Sequence, residues 1–340
     1  MNKVKIGILG CASIAERYAI RAFQHISNSE VVSVASRDPR KAKTYAEKFS
    51  IPQTDTYESL FANKNIDAVY IPLPIGLHRE WIIQAAKAGK HVLSEKSLAS
   101  DLQSVKEIIE VCKENNVVLY ENFTCDYHPQ HHAVKEIMEN GKIGKPRLFQ
   151  SLYGFPIIAE DNFRYNKDLG GSALYESGAY QVYTVRKLFG AEPISASAEL
   201  FTDPKRGVDM NGEVILDFGN DLKAMFSFNL DAVYQNTYSI WGTKGLVKVG
   251  RAYAIAPDFK PIVELTTNEN RKDMTVSVDV PAHNHFETIF SEFCDLVLDR
   301  TSQAQKKEKK YADILAQAKV LEAIRISARE NRRVGLSEIE

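Results

Sequence analysis

The sequence predicts two successive architectures, α/β and then α+β. A doubly wound parallel sheet comes first, followed by an open, mostly antiparallel sheet with helices on one face. Three observations carry this. Up to about residue 120, short apolar runs alternate with helical patterns across short connections, as in a parallel sheet covered on both faces. From about Arg147 onward, strand patterns dominate. The length, 340 residues, exceeds one ordinary domain and suits two. The boundary falls between a first domain, 1–122, and a second, 123–340, whose C-terminal helix can pack back on the first.

In the first domain, residues 4–9 read as a buried strand, 14–25 as a helix, 31–35 as a strand and 40–49 as a helix. Residues 68–71 make a third strand, 79–88 the helix after it, and 91–94 a fourth strand. Ser100 is expected to cap the next helix, with Gln103 completing a capping box. Leu102, Val105, Ile108, Ile109 and Cys112 form its apolar face. Asn115-Asn116 stops it, and 117–120 is a fifth strand. In the second domain, 222–230 alternates, with Ala224, Phe226 and Phe228 on one face and Lys223, Ser227 and Asn229 on the other. Gly219-Asn220 is a turn signal, which makes 214–218 the hairpin partner. Residues 238–241, 245–249 and 274–280 are further strands, and 285–299 and 307–330 are closing helices. The polar segment 301–310 reads as an exposed loop or helix start.

Composition narrows the function classes. The net charge is −1, so no bulk field draws the chain to nucleic acid or to an anionic membrane. The expected partners are small molecules or other protein chains. The cysteines are Cys11, Cys112, Cys125 and Cys294, with no C-x-x-C pair and no clustered histidines nearby. No metal site is expected, and reduced thiols point to the cytoplasm. The apolar run at 4–9 is too short for a signal-peptide core, and no stretch is long enough to span a membrane. Apolar residues on both parities of the late strands, such as Met225 beside Phe226 and Tyr238 and Ile240 beside Trp241, predict a homodimer or homotetramer formed through the C-terminal sheet.

The first strand runs into Gly10-Cys11-Ala12-Ser13-Ile14-Ala15, a G-x-G-x-x-G fingerprint with alanine at its second and third glycine positions. A glycine permits the tight turn. The small residues after it let backbone N–H groups approach a pyrophosphate at a helix N-terminus, as in the Rossmann fold. The second strand ends at Ser36-Arg37, where an NAD site carries an acid. A hydroxyl and a guanidinium suit a 2′-phosphate, so NADP(H) is favoured over NAD(H). Asp38, shifted by a residue or two, is the alternative ribose ligand.

Three more motifs follow: 70–81 (Tyr70-Ile71-Pro72-Leu73-Pro74 through His78 to Trp81), 89–96 (Gly89-Lys90-His91-Val92-Leu93-Ser94-Glu95-Lys96) and 170–180 (Gly170-Gly171-Ser172 through Glu176 to Tyr180). Their order and spacing resemble the Gfo/Idh/MocA oxidoreductase family across nearly the whole chain. The resemblance implies that Leu73, Pro74, His78, Glu95 and Lys96 join Gly10, Cys11, Ala12, Ser13, Ile14, Ser36 and Arg37 in binding the dinucleotide. It places Lys96 between nicotinamide and substrate, and gives Glu176 to the substrate and Tyr180 to proton transfer. The chain departs from the family pattern at Ser97, usually proline, which is expected to loosen the turn. It departs again at Glu176, usually aspartate, and at Tyr180, usually histidine. Within the family, 10–15, Pro72-Leu73-Pro74, Glu121-Asn122-Phe123 and Tyr127-His128-Pro129-Gln130-His131 resemble the nucleotide-sugar 3-ketoreductases of deoxysugar biosynthesis, and Asn122 is carried over as a substrate ligand. His128 and Gln130, just past the fifth strand at the sheet's ligand-binding edge, are further substrate candidates. The expected activity is NADPH-dependent reduction of the C3 ketone of a nucleotide-linked deoxysugar. The alternatives are oxidation of a free sugar or diol (D-xylose or trans-dihydrodiol type) and a non-catalytic NAD(P)-binding sensor.

Chemically, Lys96 and Tyr180 form a coherent pair. Hydride transfer to a ketone leaves an alkoxide, which needs a proton and a positive charge nearby. Tyr180 can give the proton, and an ammonium beside a phenol lowers its pKa from about 10.

Overall fold

The structure, a computed structural model, describes residues 2–299 and 301–340. The chain forms two compact units, one of residues up to Asn122 with Phe286–Leu315, the other of Phe123–His285 with Ala316–Glu340. The expected second domain, 123–340, is therefore discontinuous. Among the described residues, no helix is long and apolar enough to cross a membrane.

The first unit holds a six-stranded parallel sheet of β1 (Val4–Leu9), β2 (Ser29–Ala35), β3 (Gln53–Asp55), β4 (Ala68–Ile71), β5 (His91–Ser94) and β6 (Leu119–Glu121). The spatial order is β3-β2-β1-β4-β5-β6, the doubly wound order of a dinucleotide-binding fold. Its helices are α1 (Ile20–His25), α2 (Pro39–Phe49), α3 (Tyr57–Ala62), α4 (Ile75–Lys87) and α5 (Leu102–Glu114). The predicted helix over 14–25 is α1 preceded by a π-helical turn, Ala15–Ala19. Sequence reading missed β3 and α3, because a three-residue, largely exposed edge strand is too short to show periodicity. Two caps differ from expectation. Asp101, not Ser100, caps α5: its extended backbone carries the carboxylate over the first turn, where it accepts from Ser104 N at 2.7 Å. Pro74 stands at the N-cap of α4, so that helix begins at Ile75 instead of residue 79.

α8 (His285–Leu298) lies almost wholly in the first unit for a packing reason. Phe286 stacks on Tyr18 at 5.0 Å, Phe290 on Phe23 at 4.1 Å, and Phe293 meets Tyr120 edge-on at 5.5 Å. Burying a phenylalanine in this way contributes roughly 1.5–3 kcal/mol. α9 runs over Gln303–Glu330, so the 301–310 segment is mostly helix.

The second unit is built on a nine-stranded sheet of β7 (Pro146–Gly154), β8 (Ser195–Asp203), β9 (Val208–Asp217), β10 (Lys223–Asn229), β11 (Gln235–Gly242), β12 (Gly245–Gly250), β13 (Ile262–Glu269), β14 (Lys272–Val278) and β15 (Val334–Gly335). Its order is β14-β13-β12-β11-β7-β10-β9-β8-β15. All pairs are antiparallel except β7 with β10. The predicted hairpin is β9–β10, with Ala224, Phe226 and Phe228 buried and Met225 exposed. α7 (Ala179–Phe189) covers the buried face: Phe189 meets Phe149 edge-on, and Gln181 donates to the Ser227 carbonyl at 2.9 Å. α6 (Pro129–Glu139) joins it through His131, which stacks on Tyr238. The opposite face exposes Leu152, Phe201, Ile215, Met225, Trp241 and Ile262. Tyr238 and Ile240, on the other parity from Trp241, point to the helix side and are buried.

Candidate active site

Each unit carries candidate residues. In the first, β1 ends at Gly10, whose φ of +114° suits glycine alone. Its N–H donates to the Ala35 carbonyl at 2.9 Å, and a Cβ on it would stand 2.8 Å from Leu73 Cδ2. The Gly10 turn and the Leu73-Pro74 turn are thus packed together. Ser36 lies against Cys11: burial raises the Cys11 thiol, while the Lys41 charge and a hydrogen bond with Ser36 pull it back. Arg37 meets the Tyr57 hydroxyl beside Gly10; burial raises that phenol and the guanidinium opposes the rise. Asp38 is engaged elsewhere. It caps α2 by accepting from Arg40 N at 3.0 Å and pairs with the Arg40 guanidinium, which holds its carboxyl below the usual range. Ser36 Oγ also accepts from Asp38 N at 3.2 Å, so Ser36, Arg37 and Asp38 all have partners at this turn. Lys41, on the first turn of α2, is a further cation at this turn that the sequence reading did not single out.

The Lys96 turn follows β5 and is tied down by side chains. Glu95 Oε1 accepts from the Tyr70 hydroxyl at 2.7 Å and from Asn122 Nδ2 at 2.6 Å. Glu121 Oε1 accepts from Leu98 N at 2.8 Å. The His78 ring lies 2.9 Å from the Ser97 carbonyl and 2.7 Å from the Leu73 carbonyl, so it braces the Lys96 turn against the Leu73 turn. Burial pushes the His78 pKa down to about 4. The Lys96–Ser97 peptide bond is cis, and Lys96 is 8% exposed.

In the second unit, the third motif forms a π-helical turn, Leu174–Gly178, that leads into α7. Asp209 on β9 starts it by accepting from Leu174 N at 2.8 Å, and burial raises its carboxyl. Tyr180 sits in an aromatic box. Its ring meets Phe123 at 5.7 Å and 87°, Tyr153 at 5.7 Å and 74°, and Tyr253 at 5.9 Å and 35°. Tyr253 is fixed in turn by its hydroxyl, which donates to Ser151 Oγ at 2.6 Å; Ser151 donates to the Thr237 carbonyl and also accepts from Gln181. Glu176, one turn before Tyr180, pairs with Arg164 at 2.8 Å.

Four expected ligands have other duties. His78 has both ring nitrogens near backbone carbonyls, and the neutral ring donates to one of them, which links the two turns. Gln130 is fully buried, and its amide donates to the Arg251 and Ala252 carbonyls, which anchors that loop. His128, equally buried, caps α6 with Nδ1 accepting from Gln130 N. Asn122 is 1% exposed and holds Glu95. Sequence reading placed these four by motif or by sheet edge, and the structure buries all four with hydrogen bonds inside the protein. It missed Arg164, Asp209, Tyr153 and Tyr253, which come to Tyr180 and its helix from distant strands and loops. Among the described residues, no group of three His, Cys, Asp or Glu side chains could hold a metal ion.

Residues 4–123 match the model of the Gfo/Idh/MocA oxidoreductase family with its NAD-binding Rossmann fold, and 131–248 match that family's C-terminal domain. The chain is 32% identical over 329 residues to the dTDP-3,4-didehydro-2,6-dideoxy-α-D-glucose 3-reductase of Actinomadura kijaniata, covering 97% of each chain. It is 30% identical over 275 residues to a NADP-dependent D-xylose 1-dehydrogenase of Haloferax volcanii, covering 80% of this chain and 83% of that one. The crystal structure of KijD10, a 3-ketoreductase from Actinomadura kijaniata in complex with NADP and TDP-benzene, superposes with a TM-score of 0.88 at 31% identity, covering 96% of this chain and 98% of that one.

Proposed function

The chain belongs to the Gfo/Idh/MocA family of NAD(P)-dependent oxidoreductases, and we propose that it uses NADPH to reduce the C3 ketone of a nucleotide-linked deoxysugar. The observation that carries this reading is likeness over nearly the full length to a dTDP-sugar 3-reductase and to a 3-ketoreductase with NADP bound. The substrate class that follows is a vicinal 3,4-diketone on a dTDP-linked 2,6-dideoxy sugar, as in the relative's name.

The first unit fits the dinucleotide. Gly10 leaves the turn open to close approach, and Ser36 and Arg37 offer donors while Asp38 caps a helix. Bound NADPH supplies the hydride. Tyr180 gives its phenolic proton to the carbonyl oxygen as the alkoxide forms, and the Lys96 ammonium stabilises that negative charge and favours the phenolate left behind. The aromatic box holds the Tyr180 ring in one orientation, which keeps the proton aimed.

The reading is tested by following NADPH oxidation with a dTDP-linked 3-keto sugar generated in situ, beside NADP+ reduction with D-xylose and with a trans-dihydrodiol. Faster turnover of the keto sugar supports it. Faster oxidation of the free sugar or diol contradicts it, and NADPH binding without turnover on any ketone points to a sensor. We further infer a cytoplasmic homodimer or homotetramer assembled through the exposed sheet face. Four buried free cysteines support the reducing compartment, and the Leu152–Met225–Trp241 surface supports the assembly. Sedimentation of wild type as a monomer at micromolar concentration would overturn the assembly.

A further inference from the structure

Arg164 is held with unusual care for a loop residue. It lies in a short 3₁₀ turn, Phe163–Tyr165, capped by Asn162, whose Oδ1 accepts from Arg164 N at 3.2 Å and from Arg164 Nη1 at 3.3 Å. The Phe163 ring lies 4.5 Å beneath the guanidinium. Gly171 explains why the third motif begins with two glycines: a Cβ there would overlap the Arg164 carbonyl, and Gly171 N donates to the Asn166 carbonyl at 2.9 Å. The motif thus grips the loop that carries the arginine. Arg164 Nε donates to Glu176 Oε1 at 2.8 Å, one helical turn before Tyr180. Burial alone would lower the guanidinium's pKa, but Glu176 and the phenols of Tyr153 and Tyr180 hold it above the ordinary value, so the cation is within electrostatic reach of the proton donor. Among the described residues, Nη2 has no hydrogen-bond partner, and the side chain is 24% exposed.

We propose that Arg164 orients the substrate: its Nη2 edge donates to the oxygen on the ring carbon next to the carbonyl that Tyr180 protonates. The inference rests on the keto-sugar reading above and adds which ketone is reduced. In a vicinal diketone both oxygens accept and neither donates, so a site must tell them apart by which donor meets which. A phenol can give up its proton. A guanidinium only donates and keeps its charge, so the oxygen it holds is bound without being protonated. Nε on Glu176 and Nη1 on Asn162 fix the plane of the fork and leave one edge to serve one acceptor. A lysine could not reproduce that geometry.

The test uses Arg164→Met and Arg164→Lys with two substrates: the dTDP-linked 3,4-diketone, and a 3-keto analogue lacking the C4 oxygen. On the diketone, kcat/KM should fall about 10–100-fold, the worth of a charge-assisted hydrogen bond, and C4-reduced product should appear by NMR. On the analogue, both variants should stay within about threefold of wild type. Calorimetry on the cofactor-free protein should show weaker binding of the C4-oxygenated product with dTDP affinity unchanged. Equal losses on both substrates, or no loss on either, would overturn the proposal, since support of Glu176 or of the fold predicts no dependence on the C4 oxygen. Should Arg164→Met melt early, Arg164→Lys alone decides by the same criterion. Wild type inactive on both ketones overturns the functional reading and this inference with it. Active wild type with unaffected variants overturns the inference alone.

Discussion

The turn that carries Lys96 and the helix that carries Tyr180 are held by different forces. Around Lys96 the contacts are polar and local to one sheet edge: Tyr70 and Asn122 donate to Glu95, Leu98 donates to Glu121, and His78 spans two carbonyls. Around Tyr180 the contacts are rings from Phe123, Tyr153 and Tyr253. A buried polar lattice fails sharply when one partner is lost, because the group left behind stays desolvated. A packed aromatic box tolerates a change that preserves shape. The ammonium's backbone is thus set by hydrogen-bond geometry, and the phenol's by close packing.

The largest effect separates chemistry from support. Tyr180→Phe keeps every ring contact and removes the hydroxyl, so kcat should fall about 10²–10⁴-fold with NADPH affinity unchanged. Lys96→Ala should be at least as severe. An active Tyr180→Phe enzyme would move the acid elsewhere and reduce the aromatic box to packing.

Next in size is the contrast in stability. Glu95→Leu leaves the Tyr70 hydroxyl and the Asn122 amide without an acceptor, at about 1–3 kcal/mol each. Tyr253→Phe keeps the ring, and Ser151 keeps Thr237 and Gln181, so the loss should be about 0.5–1.5 kcal/mol. Urea denaturation of both variants checks this, and equal costs would erase the distinction between the two regions.

Cofactor choice sits within the first unit. Arg37→Ala should cost NADPH about 1.5–3 kcal/mol, one to two decades in affinity, and leave NADH nearly unmoved. Equal losses for the two cofactors in a fluorescence titration would return the ribose to Asp38.

Acid sensitivity is the effect least specific to either region, since both carry depressed histidines. Burial holds His78 and His91 in the first unit, and His128 and His285 in the second, at about 4, and His131 at about 3. A histidine depressed in this way binds fewer protons folded than unfolded. Its contribution is complete above pH 6.5 and is lost as pH falls through that value toward the folded pKa, by up to about 1.4 kcal/mol per unit. Melting temperatures from pH 7 to 4.5 should drop steeply, and a flat profile would contradict burial of neutral rings.

The legibility of the molecule follows the same division. The first unit's strands were readable because each is a continuous apolar run closed by a turn residue, and Gly10, Ser36, Arg37, Glu95 and Lys96 lie on local motifs. Tyr180 and Glu176 were readable from the third motif. What held them was not: Arg164 comes from a loop, Asp209 from β9, Tyr153 from β7 and Tyr253 from the segment after β12, and only tertiary packing unites them. Burial is equally invisible in one dimension. His128 and Gln130 stand at the expected sheet edge, yet they face inward to a helix cap and a loop carbonyl. The helix over 285–298 reads as part of the second domain until the pairing of Phe286, Phe290 and Phe293 with first-unit rings assigns it.

Under the proposed function, the enzyme delivers hydride to C3 of a nucleotide-linked keto sugar. The most direct measurement gives wild type a dTDP-linked 3,4-diketo-2,6-dideoxy sugar formed in situ, with NADPH deuterated at the transferring position, and locates the label in the product by NMR. The expected result is deuterium at C3 with the C4 ketone intact. Deuterium at C4, or no reduction by an enzyme that oxidises D-xylose or a dihydrodiol, would contradict it.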